Sequence, residues 1–205
     1  SVWDLLFLPA LCLPVKKPLR ILVLGVGGGA VMHMMNEFFN CEKIIGLELN
    51  PTHIEIAREI FAIKGSRFEL IETDAIDWVK NYKGEQFDLI IDDLFYELEG
   101  EPVKVASPDA TWFYHLFSQL KSQGMVIMNF VGRHSAMSAS PLHDDNVQKL
   151  LPFGLHLTTP YYDNHVLAFS SEKLHSSLIR KTINQHDKLK GLKQNLRFSC
   201  RNFNR

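Results

Sequence analysis

Residues Arg20 to Ala30 read RILVLGVGGGA, and this stretch decides the fold. Arg20 to Leu24 is a compact apolar run bounded by Pro18 and Gly25, the pattern of a strand buried on both faces. Gly25, Gly27, Gly28 and Gly29 follow at once and open a helix over 29–39. Its apolar residues Val31, Met34, Met35 and Phe38 fall at i, i+3, i+4 and i+7. Glycines let the chain bend sharply and let a ligand approach the backbone, while the helix start offers free N–H groups and a positive dipole end. A plain tight turn is the competing reading, but each glycine at a helix start costs about 0.5–1 kcal/mol, which four of them make hard to explain.

Beyond this stretch, short apolar runs alternate with helical stretches. Lys43 to Leu47 reads as a second strand, and Asn50-Pro51 caps and starts a helix to about Ile63, with Ile56 and Ile60 on one face. Strands are expected over Arg67 to Ile71, Phe87 to Ile91 and Gly124 to Phe130, and helices over Asp74 to Tyr82 and Pro108 to Leu120. Alternation of this kind implies right-handed βαβ units and a parallel sheet covered on both faces. Leu155 to Thr159 and Val166 to Phe169 flank a Pro/Asp/Asn loop, so the last strand is expected to return antiparallel in a hairpin. The fold class is therefore α/β, a Rossmann-like doubly wound sheet, with a main domain over 1–170 and a basic, partly helical extension over 171–205.

Composition sets the bounds. The 205 residues are 46% hydrophobic and 22% charged, ordinary for a globular chain and unlike a disordered, collagen-like or coiled-coil one. Three cysteines (Cys12, Cys41, Cys200) without a C-x-x-C argue against a disulfide scaffold and for a reducing, cytoplasmic setting. The apolar stretch from Val2 to Val15 carries Asp4, Pro9 and Pro14 and has no basic n-region, so neither a membrane span nor a signal peptide is expected. The first residue is Ser1, not Met, which leaves upstream sequence open. The net charge of −1 conceals an asymmetry: −8 over 1–170, and +7 over 171–205, where nine Lys/Arg meet two Asp/Glu. That tail, with Phe198 and Phe203, could touch nucleic acid, although such runs are more often simply solvated.

The candidate site residues sit where the strands end. Glu48 closes strand two, 23 residues after Gly25, where a carboxylate can accept hydrogen bonds from ribose hydroxyls. Asp74 follows strand three; it can accept from an adenine amino group beside the small Ala75, or cap the next helix, or do both through different atoms. Asp92-Asp93 ends strand four, and of two neighbours in a strand only one is expected to face the site. Tyr96, Asn129 and His134 are weaker candidates. Nine histidines show no ligand spacing, so no metal site is expected.

Four motifs in order, LGVGGGAV, GLELNP, ETDAIDWV and FDLIIDDLFYE, resemble the class I S-adenosylmethionine-dependent methyltransferase fold, and most closely its spermidine synthase-like branch. The resemblance covers about Leu19 to Phe169. It implies a seven-stranded sheet, mostly parallel with an antiparallel last strand, and a cofactor-binding glycine loop that includes Gly28, with Gly25, Gly27 and Gly29 under the methionine part of the cofactor, Glu48 on the ribose, and Asp74 with Ala75 at the adenine. Asp93 matches the first catalytic Asp of the aminopropyltransferases. Their glycine-loop Asp is replaced here by Gly28, and their second Asp by Tyr96, followed by Glu97 instead of Pro. The N-terminal β-domain of those synthases is not expected here, since only 18 residues stand before Leu19.

These departures favour methyl transfer from S-adenosylmethionine to an unidentified small-molecule or amine acceptor, with Asp93 orienting or deprotonating it and Asp92 and Tyr96 behind. The alternatives are an aminopropyltransferase using decarboxylated S-adenosylmethionine and a polyamine, a dinucleotide oxidoreductase from the bare G-x-G-x-x-A pattern, and a non-catalytic relative. No motif specifies the acceptor, and a homodimer is left open.

Overall fold

A computed structural model describes residues 1–14, 17–193 and 195–204. Val15, the end of the apolar N-terminal stretch, and Gln194 and Arg205 of the basic tail lie outside the described residues. The strands are β1 (Leu19–Leu24), β2 (Cys41–Glu48), β3 (Phe68–Glu72), β4 (Phe87–Asp92), β5 (Phe95–Leu98), β6 (Glu101–Lys104), β7 (Leu120–Val131), β8 (Phe153–Thr159), β9 (Tyr162–Ser170) and β10 (Ser199–Asn204). The helices are α1 (Val2–Phe7), α2 (Ala30–Phe38), α3 (Pro51–Glu59), α4 (Ala75–Asn81), α5 (Ala110–Ser118), α6 (Arg133–Met137), α7 (Asp145–Leu150), α8 (Ser176–Gln185) and α9 (Asp187–Leu192).

Eight strands form one sheet in the order β10-β8-β9-β7-β4-β1-β2-β3. The run from β7 to β3 is parallel, and β9, β8 and β10 are antiparallel to their neighbours. The expectation of seven strands falls one short. The eighth is β10, from the basic tail, which pairs with β8 from Ser199 opposite Thr158 to Asn204 opposite Phe153. Phe203 anchors it, lying so close over Gly154 that a Cβ there would overlap its ring, and contacting Phe169 at 5.8 Å between ring centroids.

Strand alternation divides the core in two. Ile21 and Val23 of β1 face a cluster with Phe7, Met32, Met35, Ile179 and Leu189. Leu22 and Leu24 face the other, with Val79, Trp112, Phe113 and Phe130. Part of the apolar N-terminal stretch joins the core: Leu5, Leu6, Phe7 and Leu8 are fully buried. No helix among the described residues is long and apolar enough to cross a membrane. The three cysteines are free thiols, and burial pushes Cys12 and Cys41 up to about 11 and Cys200 up to about 12.

Two local expectations need correction. The helix after Asn50 starts as read, with the Asn50 side chain accepting from Thr52 N at 3.0 Å, but ends at Glu59 rather than near Ile63. Ala62 takes a left-handed φ of 52°, which breaks the helix. The buried face therefore runs through Ile54 and Ala57, and Ile60 is 71% exposed. The strand expected from Gly124 begins at Leu120.

Candidate active site

The carboxyl ends of β1, β2, β3 and β4 line up at one edge of the sheet. Gly25 N donates to Leu47 O, Asp93 N to Leu24 O and Thr73 N to Glu48 O, all at 2.9–3.0 Å. Strand order reverses between β1 and β4, the place where open α/β sheets bind ligands. A cleft of about 260 Å³ opens there, lined by Gly25, Gly27, Gly28, Glu48, Asp74, Ala75, Asp93 and Tyr96 among others.

The glycine bend is shaped by contact as much as by flexibility. Gly25 has φ +82°, and a Cβ on it would overlap the carbonyl oxygen of Asp93, so the bend and the end of β4 press together. Gly29 has φ +83° and caps α2; a Cβ there would meet Ile63 at 2.6 Å. Gly29 is thus a packing and capping position outside the cleft lining, whereas Gly25, Gly27 and Gly28 border the cleft. Phe61 lies across Gly28, 2.9 Å from where a Cβ would stand.

Glu48 is tied to the bend. Its Oε2 accepts from Val26 N at 3.1 Å and Gly27 N at 3.0 Å, and its Oε1 from Asn50 N at 2.9 Å. His53 Nδ1 stands 3.5 Å from Oε1. A carboxylate has about four lone-pair sites, and these three N–H bonds leave one for a further donor. Asp74 caps α4 through one oxygen only: Oδ1 accepts from Ile76 N at 2.8 Å and Asp77 N at 3.0 Å. Its Oδ2 has no partner among the described residues.

The two acids at the end of β4 separate. Asp93 reaches the cleft, and its Oδ1 accepts from Asn129 Nδ2 at 2.8 Å; Asn129 Oδ1 in turn accepts from Asn164 Nδ2 at 3.2 Å. Burial raises the Asp93 pKa above the ordinary carboxylate value, against the Asn129 hydrogen bond and the Lys104 charge, while Asp92 adds repulsion. Asp92 is fully buried and faces away from the cleft. Its Oδ1 accepts from Lys104 Nζ at 2.9 Å and Leu94 N at 3.2 Å, and its Oδ2 from Trp112 Nε1 at 2.8 Å. Asp92 is therefore an anchor for the β5–β6 hairpin rather than a group at the site, and Asp93 alone of the pair faces it.

Tyr96 stands on β5, half exposed, along the rim of the cleft. Asn129 is brought to Asp93; His134 is exposed on α6 and does not line the cleft. Two residues had no local signal: Trp3, which α1 carries to the cleft rim, and Lys104, whose pairing with Asp92 crosses twelve residues. Among the described residues, no group of three or more His, Cys, Asp or Glu is placed to hold a metal ion.

Residues 15–192 match the methyltransferase domain family, and the chain belongs to it. It is 29% identical over 115 residues to a polyamine aminopropyltransferase of Neisseria meningitidis serogroup A, covering 55% of this chain and 42% of that one. It is 28% identical over 136 residues to the eEF1A lysine and N-terminal methyltransferase of Mus musculus, covering 62% of this chain and 19% of that one. The chain thus spans less than half of the length of these curated relatives. The structure of human methyltransferase-like protein 13 in complex with SAH superposes with a TM-score of 0.66 at 20% identity, covering 94% of this chain and 88% of that one. A probable spermidine synthase from Corynebacterium glutamicum does so with a TM-score of 0.69 at 19% identity, over 90% and 70%. These likenesses establish a Rossmann-like methyltransferase fold with spermidine synthase-like relatives.

Proposed function

We propose that the cleft binds S-adenosylmethionine and that the chain transfers its methyl group to a nucleophilic acceptor, with an amine the best match to the acidic site. The observation that carries this reading is the position of Glu48, which lines the cleft while joined to two N–H groups of the glycine bend. That arrangement suits a ribose diol. Asp74 Oδ2 and Ala75 suit the adenine, and Gly25, Gly27 and Gly28 leave room for the methionine part. Gly29 acts through the packing of α2 against Ile63.

The bound cofactor supplies an electrophilic methyl carbon on a good leaving group. The protein's own work is then placement, and holding two reactants in line can provide about 7–11 kcal/mol. Asp93, at the reacting end, orients the acceptor and takes its proton, with Tyr96 along the rim. An acid whose pKa burial has raised is a better proton acceptor than an ordinary carboxylate.

Aminopropyl transfer is the second reading. Asp93 and the curated relatives named polyamine aminopropyltransferase favour it. Gly28 under Phe61 and Tyr96 in place of an acid leave fewer carboxylates for a polyamine. Parallel assays with S-adenosylmethionine plus a protein acceptor pool, and with decarboxylated S-adenosylmethionine plus putrescine, separate the two. We expect product from the first alone.

Glu48→Ala removes an anionic acceptor for ligand hydroxyls and loosens the bend at once. The expected loss in S-adenosylhomocysteine affinity is about 1.5–3 kcal/mol, read by titration calorimetry. An unchanged affinity contradicts the ribose assignment.

A further inference from the structure

We propose that the sheet face beside α6 carries a binding site for a phosphate oxyanion, formed by Arg133, Arg201, Thr158 and Ser199. A cavity of about 250 Å³ is lined by these four residues with Met137 and His156. The register of the last two strands builds it: Ser199 stands opposite Thr158, and Arg201 opposite His156. Residues two apart on a strand share a face, so two hydroxyls and a guanidinium converge from β8 and β10. Arg133 and Met137, one turn apart on α6, close the side.

Among the described residues, no carboxylate lies within 4.0 Å of Arg133 or Arg201. Two guanidiniums directed at one cavity repel each other unless an anion joins them. His156 reports the same field. Its pKa is lowered to about 4, by burial first and then by His165, Arg133 and Arg201. It is therefore neutral near pH 7, with Nε2 held 2.7 Å from His165 Nδ1, while His165 Nε2 stands 3.7 Å from Asp163.

The donor set selects the ligand class. Each guanidinium is a planar fork that can hold two oxygens, and the two hydroxyls add further donors. A carboxylate, with two oxygens and one charge, satisfies one fork. A phosphate group presents enough oxygens and charge for both. The site uses the tail's positive charge without depending on the adenosyl cleft, so it stands whatever the acceptor proves to be.

The test is an NMR titration of the full chain at constant ionic strength and neutral pH, with inorganic phosphate and O-phosphoserine as separate probes and chloride as control. The ring signals of His156 and His165 should shift saturably with phosphate, while the Trp3 indole signal at the cleft stays put. Arg133→Gln and Arg201→Gln, at exposed positions, should each weaken binding at least about tenfold. Arg201→Lys, which keeps the charge and loses the fork, should weaken it less. Tighter phosphoserine binding identifies a monoester ligand, and equal binding the free oxyanion; either supports the site. Three results overturn it: no saturable shift by roughly 10 mM phosphate, an equal shift with chloride, or full binding in the arginine variants.

Discussion

Asp93→Asn should lower methyl-transfer turnover by about 10²–10⁴-fold, the range that a positioned proton acceptor contributes. The same change should raise stability. Burial raises the Asp93 pKa in the fold above its unfolded value, so its ionised form is disfavoured by folding at neutral pH. The sign follows from linkage: relative stability is full below the unfolded pKa and falls as pH rises through the folded one. Asn cannot ionise, and its oxygen can still face Asn129 Nδ2, so that penalty disappears. Thermal unfolding and initial rates on one preparation check both halves. Activity of the native chain should also fall as acid protonates Asp93, and this limb should be absent in Asp93→Asn. Unchanged turnover in the variant would remove Asp93 from the chemistry.

Asp92→Ala should cost about 3–5 kcal/mol of folding stability, because it leaves the Lys104 ammonium buried without its counter-charge. The side chains of Asp92 and Lys104 are 0% and 9% exposed, so water can do little to compensate. Trp112 Nε1 and Leu94 N lose their acceptor as well. Adding Lys104→Met to this variant should recover much of the loss, since the stranded charge is then gone. Denaturant midpoints for the two singles and the double, compared at equal m-value, give the coupling directly. A loss below about 1 kcal/mol in Asp92→Ala contradicts the anchoring role.

Four residues that line the cleft were legible because each lies where a parallel strand runs out. An apolar run followed by Gly25, Glu48, Asp74 or Asp93 needs only local spacing to be read, and the parallel sheet then brings all four to one edge. What escaped reading depends on one unusual local turn and on partners far along the chain. The β5–β6 hairpin turns at Glu99 and Gly100, with φ of 53° and 85°, and Glu is an uncommon residue in the left-handed region that such a two-residue turn requires. Only Gly100 signalled it. β10 is a polar strand, held by Phe203 over Gly154 and by pairing with β8, so its composition suggested a solvated tail. Trp3 reaches the cleft because Leu5, Leu6 and Phe7 of the same helix bury in the core, a placement set by the packing of α1 on α2. Asp92 and Asp93 could be separated by strand alternation, but the burial of Lys104 and Trp112 around Asp92 decided which one faces inward.

Calorimetric titration of the native chain with S-adenosylmethionine and with S-adenosylhomocysteine decides whether the cleft holds an adenosyl sulfonium. A single site should appear for both, and Glu48→Ala should weaken it while Arg201→Gln leaves it unchanged. Absence of any heat up to millimolar ligand, with the chain shown to be folded, would contradict the account.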